Sequence, residues 1–166
     1  IGLMVKRTQG TPTQYKYLVS QGDAKEFQLN RYFALRLGTD GQLIGSIRGV
    51  NGEGNTATVQ VDSGPTIDEW SHVVMTRGGG KLSLFIDGVQ VGSVNDNAGA
   101  LNLGTHDIHV GESSFAQADG SPAYRFSGEL RDIAFYGVAL STEQVIAAQE
   151  NPQAPEVLET LEALYR

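Results

Sequence analysis

Short segments in which apolar and polar residues alternate recur along this chain. Successive side chains of a β-strand point to opposite faces, so such alternation predicts strands that bury one face. The segments lie at residues 1–7, 15–20, 31–38, 42–48, 57–62, 72–76, 82–86, 89–94, 101–103, 107–111 and 124–136. Many short strands separated by turns favour an all-β, jelly-roll sandwich of two antiparallel sheets.

The clearest prediction is a three-stranded meander at residues 70–94, WSHVVMTRGGGKLSLFIDGVQVGSV. The RGGG sequence at residues 77–80 predicts a flexible turn between its first two strands. Asp87-Gly88 then forms a two-residue turn that favours positive φ, the strongest short-range hairpin signal. Thr39-Asp40-Gly41 predicts a second Asp-Gly turn, after which residues 42–48 pair back as a hairpin.

Two helices are predicted at the C-terminal end. Ser141 and Gln144 have the spacing of a capping box, and Asn151-Pro152 ends the helix that they begin. A second helix at residues 155–165 is predicted from an apolar stripe formed by Val157, Leu158, Leu161, Leu164 and Tyr165. We therefore expect a β-sandwich at residues 1–150, and at residues 151–166 an amphipathic helix that docks on the domain or on a neighbour.

Composition narrows the class of partner. The 166 residues carry a formal net charge of −7, which argues against nucleic acid or an anionic membrane surface as the ligand. There is no cysteine, so a disulfide scaffold and thiolate chemistry are excluded. No apolar run is long enough for a transmembrane helix. Because Ile1 already lies in a strand-like pattern, we expect a mature piece of a longer secreted or cell-surface protein that has other domains.

Several motifs together resemble a known family. The meander resembles the core of the laminin-G-like, or concanavalin A-like lectin/glucanase, domains. The segments IHVG at 108–111 and FSGELRDIAFYGVALSTEQV at 126–145 are similar to the closing strands and helix of that family, as LMVK and YLVSQGD are to its early strands. The resemblance spans residues 1–149 and implies a two-sheet jelly roll, a fold that carries many activities.

Family members usually have one or two strands before the segment that Leu3–Lys6 resembles. Those strands are missing here, so either the chain is cut or another segment, such as the last helix, covers that part of the sandwich.

Catalytic motifs are absent from the sequence. The laminarinase-like glycosidases that share this fold carry Glu-X-Asp-X-X-Glu on one strand, which places three carboxylates on one face. The ELRD sequence at 129–132 has the wrong spacing, and neither Gly-X-Ser-X-Gly nor His-Glu-X-X-His occurs. We therefore interpret the chain as non-catalytic, with a glycan-cleaving enzyme as the least favoured hypothesis.

Candidate ligand-binding residues are aromatic rings and arginines, because a sugar stacks on a ring and accepts bidentate hydrogen bonds. Arg36 and Arg48 flank the Asp40-Gly41 turn and are expected to face one sheet surface. The full candidate set is Tyr32, Arg36, Arg48, Phe115 and Tyr124, with Tyr15, Tyr17, Arg31 and Arg125 as further members. For each of them, an ordinary half-buried strand residue is the alternative interpretation.

Calcium is the cofactor that the resemblance implies. Asp23 and Asp132 lie where the family often places acidic residues, and hard oxygen ligands suit Ca²⁺. Solvated turn carboxylates are the alternative. His72 is interpreted as a fold determinant, and strand alternation places His106 and His109 on opposite faces, which disfavours a shared metal.

The sequence therefore favours an extracellular recognition module that binds glycan, without insertion into a membrane. A module that binds another protein, for adhesion or structure, is the second hypothesis. A glycan array separates these two hypotheses.

Overall fold

Two antiparallel sheets make up the molecule. The structure is a computed structural model that describes residues 1–8, 14–22, 32–49, 56–101, 106–114 and 124–165. Its strands are β1 (Gly2–Arg7), β2 (Lys16–Gly22), β3 (Tyr32–Leu37), β4 (Leu43–Arg48), β5 (Thr56–Val61), β6 (Ser71–Gly78), β7 (Lys81–Ile86), β8 (Val89–Asn95), β9 (Ile108–Val110), β10 (Gly128–Tyr136) and β11 (Leu161–Tyr165). Its helices are α1 (Thr142–Glu150) and α2 (Pro155–Leu158).

The strand orders are β11-β10-β1-β6-β7-β8 in the six-stranded sheet and β5-β4-β3-β2-β9 in the five-stranded sheet. These two sheets confirm the predicted all-β sandwich. Among the described residues, no helix is long and apolar enough to cross a membrane.

The main core lies between the two sheets. Several strands contribute every second side chain to it, as the alternation predicts; in β3, for example, these are Phe33, Leu35 and Leu37. The fully buried members of this core with the largest side chains include Leu3, Leu18, Leu35, Leu37, Leu43, Ile47, Leu82 and Leu84. The other face of each strand points away from this core, and in the central strands it is buried as well.

Gly45 shows how closely the sheets approach. A Cβ atom at this position of β4 would lie 2.8 Å from the Sδ of Met75 and 3.0 Å from Cδ2 of Leu84, both on the opposite sheet. Because the core is close-packed, a larger residue here would push the sheets apart.

The predicted meander is present as β6, β7 and β8. Asp87 and Gly88 have φ values of 49° and 78°, so both turn residues adopt the left-handed conformation that a type I′ hairpin requires. The Asp87 carboxylate also accepts a hydrogen bond of 2.7 Å from the backbone N–H of His72. The first turn is shorter than predicted, because Arg77 and Gly78 belong to β6.

The first C-terminal helix is confirmed. Ser141 and Gln144 form the predicted capping box, in which the Ser141 hydroxyl accepts from the Gln144 N–H and the Gln144 side chain accepts from the Ser141 N–H. Helix α1 ends at Glu150, as expected.

The prediction of a helix at residues 155–165 is wrong beyond Leu158. Helix α2 has four residues, and Leu161–Tyr165 is strand β11, which pairs with β10 at the edge of the six-stranded sheet. Thr160 turns the chain, since both its N–H and its hydroxyl donate to the Val157 carbonyl. The unpaired edge of β10 offers ladder hydrogen bonds, and such a tertiary contact overrides a helical apolar pattern.

The outer face of the six-stranded sheet is partly covered. A second apolar cluster joins Val74 of β6 and Phe85 of β7 to α1, α2 and the segments next to them. Its further buried members are Leu140, Val145, Ala148, Ala154 and Val157. The C-terminal segment therefore docks on this sheet, and the outer face of the five-stranded sheet carries the polar groups described below.

The stability of the domain should depend on the protonation of His72. The residue is 4% exposed, and its Nδ1 has no hydrogen-bond partner among the described residues. Burial of the ring lowers the pKa of His72 from 6.5 to about 4, against the opposing effect of Asp87. Between these two pKa values, His72 carries a proton in the unfolded chain but not in the folded one. The contribution of neutral His72 to the free energy of unfolding is therefore fully present above about pH 6.5, and it falls by about 3 kcal/mol as the pH decreases toward 4.

Urea unfolding at several pH values measures this slope. We expect His72→Phe, which keeps a planar ring without a proton site, to reduce the loss of stability between about pH 6.5 and pH 4. The control Ser93→Ala, which changes an exposed residue without a titratable group, should keep the slope of the parent protein. Equal slopes for the parent protein and His72→Phe would contradict the prediction.

Candidate functional site

Arg36 and Arg48 share the outer face of the five-stranded sheet. Arg36 lies opposite Ile44, and Arg48 lies opposite Tyr32, so alternation places both arginines away from the core residues Leu35 and Ile47. The expectation that they face one surface agrees with this register. They lie toward opposite ends of the strand pair, separated by about 13 Å along the strands, so they do not form one site.

Small residues lie between the two arginines. Ala34 pairs with Ser46 of β4 on one side and with Ser20 of β2 on the other, and each of the three is 1% exposed. We call these three buried small residues the floor. Because they are buried, a ligand on this face would contact the longer side chains around them.

A tyrosine–arginine cluster, consisting of Tyr15, Tyr17, Arg36 and Tyr124, lies at one end of this floor. The guanidinium carbon of Arg36 is 4.8 Å from the ring centroid of Tyr15 and 5.5 Å from that of Tyr17. Nη1 of Arg36 donates a hydrogen bond of 3.1 Å to the Tyr17 hydroxyl. The rings of Tyr17 and Tyr124 are 6.0 Å apart. Cation–π contacts and ring packing therefore hold the cluster together.

Two of these rings remain accessible to a ligand. Tyr15 is 42% exposed and Tyr124 is 41% exposed, whereas Tyr17 is 5% exposed and supports them from below. Tyr124 has a φ of 57°, an unfavourable conformation for a bulky residue. Its carbonyl accepts a hydrogen bond of 3.1 Å from the Tyr17 N–H, which helps to hold this conformation. Backbone strain of this kind is concentrated at functional sites.

A neighbouring segment is anchored beside the cluster by Ser20. The Ser20 hydroxyl donates to the Glu112 carbonyl at 3.2 Å and accepts from the Ser114 N–H at 2.9 Å. The Glu112 carboxylate lies 3.5 Å from Nδ1 of His109 and 3.6 Å from Nε of Arg125. Glu112 therefore connects β9 to the residue that follows Tyr124.

Other predicted site residues lie elsewhere or outside the described residues. Asp23 and Phe115 are outside the described residues, and so is the side chain of Tyr32. Asp132 belongs to β10 in the other sheet, where its carboxylate is 3.7 Å from Nε of Arg131. In the described part of the chain, no group of three or more histidine, aspartate or glutamate side chains is placed to hold a metal ion.

Sequence reasoning named the members of the cluster and missed its supports. Arg36 and Tyr124 belonged to the candidate set, Tyr15 and Tyr17 were its further members, and the structure brings the four together. Ser20 and Glu112 were not identified, because their contact joins residues that are distant in sequence and leaves no local pattern.

Comparison with protein families establishes the class. A laminin G-type family model, described as belonging to the Concanavalin A-like lectin/glucanases superfamily, matches residues 4–146. This chain therefore belongs to that superfamily, which confirms the resemblance found in the sequence. A search of curated proteins gave no match.

Solved structures show the same fold. The CBM40 domain of Ruminococcus gnavus IT-sialidase, bound to α2,3-sialyllactose, is 19% identical, with a TM-score of 0.66 over 89% of this chain and 79% of that chain. Leech intramolecular trans-sialidase is 18% identical, with a TM-score of 0.65 over 87% of this chain and 22% of that enzyme. A SAP-like pentraxin from Limulus polyphemus is 21% identical, with a TM-score of 0.60 over 89% and 67% of the two chains. At these identities, the likeness establishes the fold alone.

The Ser20 anchor can be tested by stability. Ser20→Ala removes the acceptor of the Ser114 N–H in a buried place, so we expect the free energy of unfolding to fall by about 1–3 kcal/mol. Hydrogen exchange should accelerate at residues 111–114. The control Ser93→Ala removes an exposed hydroxyl that pairs with Ser83 at 2.9 Å, and it should cost less. An equal cost for both variants would contradict the anchoring role of Ser20.

Proposed function

We propose that this chain is a non-catalytic recognition module that binds glycan through the tyrosine–arginine cluster. The observation that carries this proposal is the pair of accessible rings, Tyr15 and Tyr124. Tyr15 contacts the Arg36 guanidinium, and Tyr124 packs against Tyr17, which contacts the same guanidinium. A pyranose ring presents an apolar face that packs on an aromatic ring, and its hydroxyl groups accept hydrogen bonds from arginine. The cluster offers both kinds of contact within one small area.

The comparisons support this proposal at the level of fold. The CBM40 structure shows a chain of the same fold with sialyllactose bound. The match to the leech enzyme spans 22% of that enzyme, so this fold also occurs as a part of a longer protein. We therefore propose that the chain acts as one extracellular module of a longer secreted or surface protein.

The side chains around the cluster favour binding over hydrolysis. Glycosidases of the usual type need two carboxyl groups about 5–9 Å apart on either side of the scissile bond. Among the described residues, the Glu112 carboxylate lies near the cluster, and it faces His109 and Arg125. The two oxygens of this carboxylate thus lie beside other side chains, Oε1 beside His109 and Oε2 beside Arg125.

One observation favours the second hypothesis, in which the ligand is a protein. Strand β9 lies at the edge of the five-stranded sheet, where Ile108 and Val110 are 40% and 44% exposed. An edge strand with exposed apolar side chains can pair with a strand of another chain.

Glycan binding can be tested on an array, followed by calorimetry with the best ligand. We expect Tyr124→Ala to weaken binding roughly tenfold or more, because it removes a stacking surface. The matched control is Tyr124→Phe, which keeps the ring and should retain most of the affinity. A second control, Arg131→Ala, changes an exposed side chain on the other sheet and should have no effect. Binding to no glycan would favour the protein ligand.

Calcium is a separate proposal, in which Asp132 and Asp23 contribute oxygen ligands. Asp132 has no set of acidic neighbours among the described residues, so carbonyl oxygens would have to complete the site. We expect Ca²⁺ to raise the melting temperature by several degrees relative to excess EDTA, because a ligand of the native state stabilises by mass action. Asp132→Asn should reduce the shift, and equal melting temperatures in Ca²⁺ and EDTA would contradict the proposal.

A further inference from the structure

We propose that the glycan bound at the tyrosine–arginine cluster is acidic, and that the Arg36 guanidinium binds its carboxylate. This inference rests on the proposed function and adds the chemical class of the ligand. It rests on the contacts that the Arg36 guanidinium makes among the described residues.

Arg36 contacts two aromatic rings, whereas three other arginines of the described residues have a carboxylate close by. Arg77 lies 2.6 Å from Asp96, Arg125 lies 3.6 Å from Glu112, and Arg131 lies 3.7 Å from Asp132. Among the described residues, no carboxylate lies within ion-pair distance of the Arg36 guanidinium. The charge of Arg36 is therefore balanced within the described part of the molecule only by ring faces and a hydroxyl.

Among the described residues, most of the hydrogen-bonding capacity of Arg36 is unused. A guanidinium has five N–H donors, and the Tyr17 hydroxyl takes one from Nη1 at 3.1 Å. Nε is buried and has no hydrogen-bond partner among the described residues. A planar carboxylate can accept two parallel hydrogen bonds from such a group, which is the strongest pairing that a guanidinium makes.

The surroundings of Arg36 strengthen this preference. Arg36 is only partly exposed and stands above the buried small residues Ala34 and Ser46. In a partly desolvated place, a charge–charge contact is stronger than in water, and a cation without a partner is costly. Packing against Tyr15 and Tyr17 fixes the guanidinium before the ligand arrives, so little side-chain entropy is lost on binding.

The neighbouring acid does not supply the missing charge. The Glu112 carboxylate is occupied on both sides by His109 and Arg125. Among the described residues, Arg36 is therefore the charged group of the cluster that has no counter-ion, whereas the charge of Arg125 is balanced by Glu112.

The test uses ligands that differ only in the carboxylate. The best acidic glycan from the array, a uronic acid or a sialylated sugar, is compared by calorimetry with its carboxamide form. We expect the parent protein to bind the acid at least tenfold more tightly than the amide. In Arg36→Gln this preference should disappear, while affinity for the amide changes little. Arg36→Lys, which keeps the charge without the planar fork, should retain a small part of the preference.

Each of the other possible results would contradict one part of this proposal. Equal affinity of the parent protein for acid and amide would overturn the acidic class and leave glycan binding intact. An equal loss for both ligands in Arg36→Gln would assign Arg36 the role of a support for the rings. If a sulfated sugar binds more tightly than any carboxylated one, the proposal that Arg36 binds a carboxylate is wrong. Binding to no glycan would overturn the proposed function itself. Arg131→Gln is the matched control, and melting curves confirm that each variant is folded.

Discussion

Burial of one face of each strand between the two sheets is the constraint on which the rest of this molecule depends. Leu35 and Leu37 of β3 point inward, so Arg36 between them must point outward. The same alternation places Tyr17 of β2 opposite Arg36 on that outer face. A shift of one residue in the pairing would bring the arginine into the core, which makes the register of the site as strongly determined as the core itself.

The register of β3 and β4 is in turn determined by their connecting turn. The Gly41 N–H donates to the Gly38 carbonyl at 3.0 Å, and the Gly38 N–H donates to the Gln42 carbonyl at 2.8 Å. Gly41 has a φ of 79°, which side chains other than glycine adopt with difficulty. The Asp40-Gly41 signal in the sequence thus determines indirectly where Arg36 lies.

The sequence predicted the features that depend on local patterns. Alternation identified the strands, Asp87-Gly88 identified a hairpin, and the capping box at Ser141 identified α1. It failed at residues 161–165, because the apolar spacing there suits a helix, and only the unpaired edge of β10 decides for a strand. The same limit applies to the site. Arg36 and Tyr124 could be proposed as residue types, whereas the Ser20–Glu112 contact requires the folded arrangement of distant segments.

The two outer faces of the sandwich have different roles for a physical reason. Val74 and Phe85 lie on the outer side of the six-stranded sheet. The C-terminal segment packs on these apolar side chains and buries them. At the corresponding places the five-stranded sheet has Ala34, Ser46 and Ser20, whose small side chains expose little apolar area. The middle of that face is nevertheless buried, and the accessible side chains, such as Tyr15 and Tyr124, lie at its border. Changes among those border residues alter the ligand without altering the core, which is how one fold can serve many binding functions.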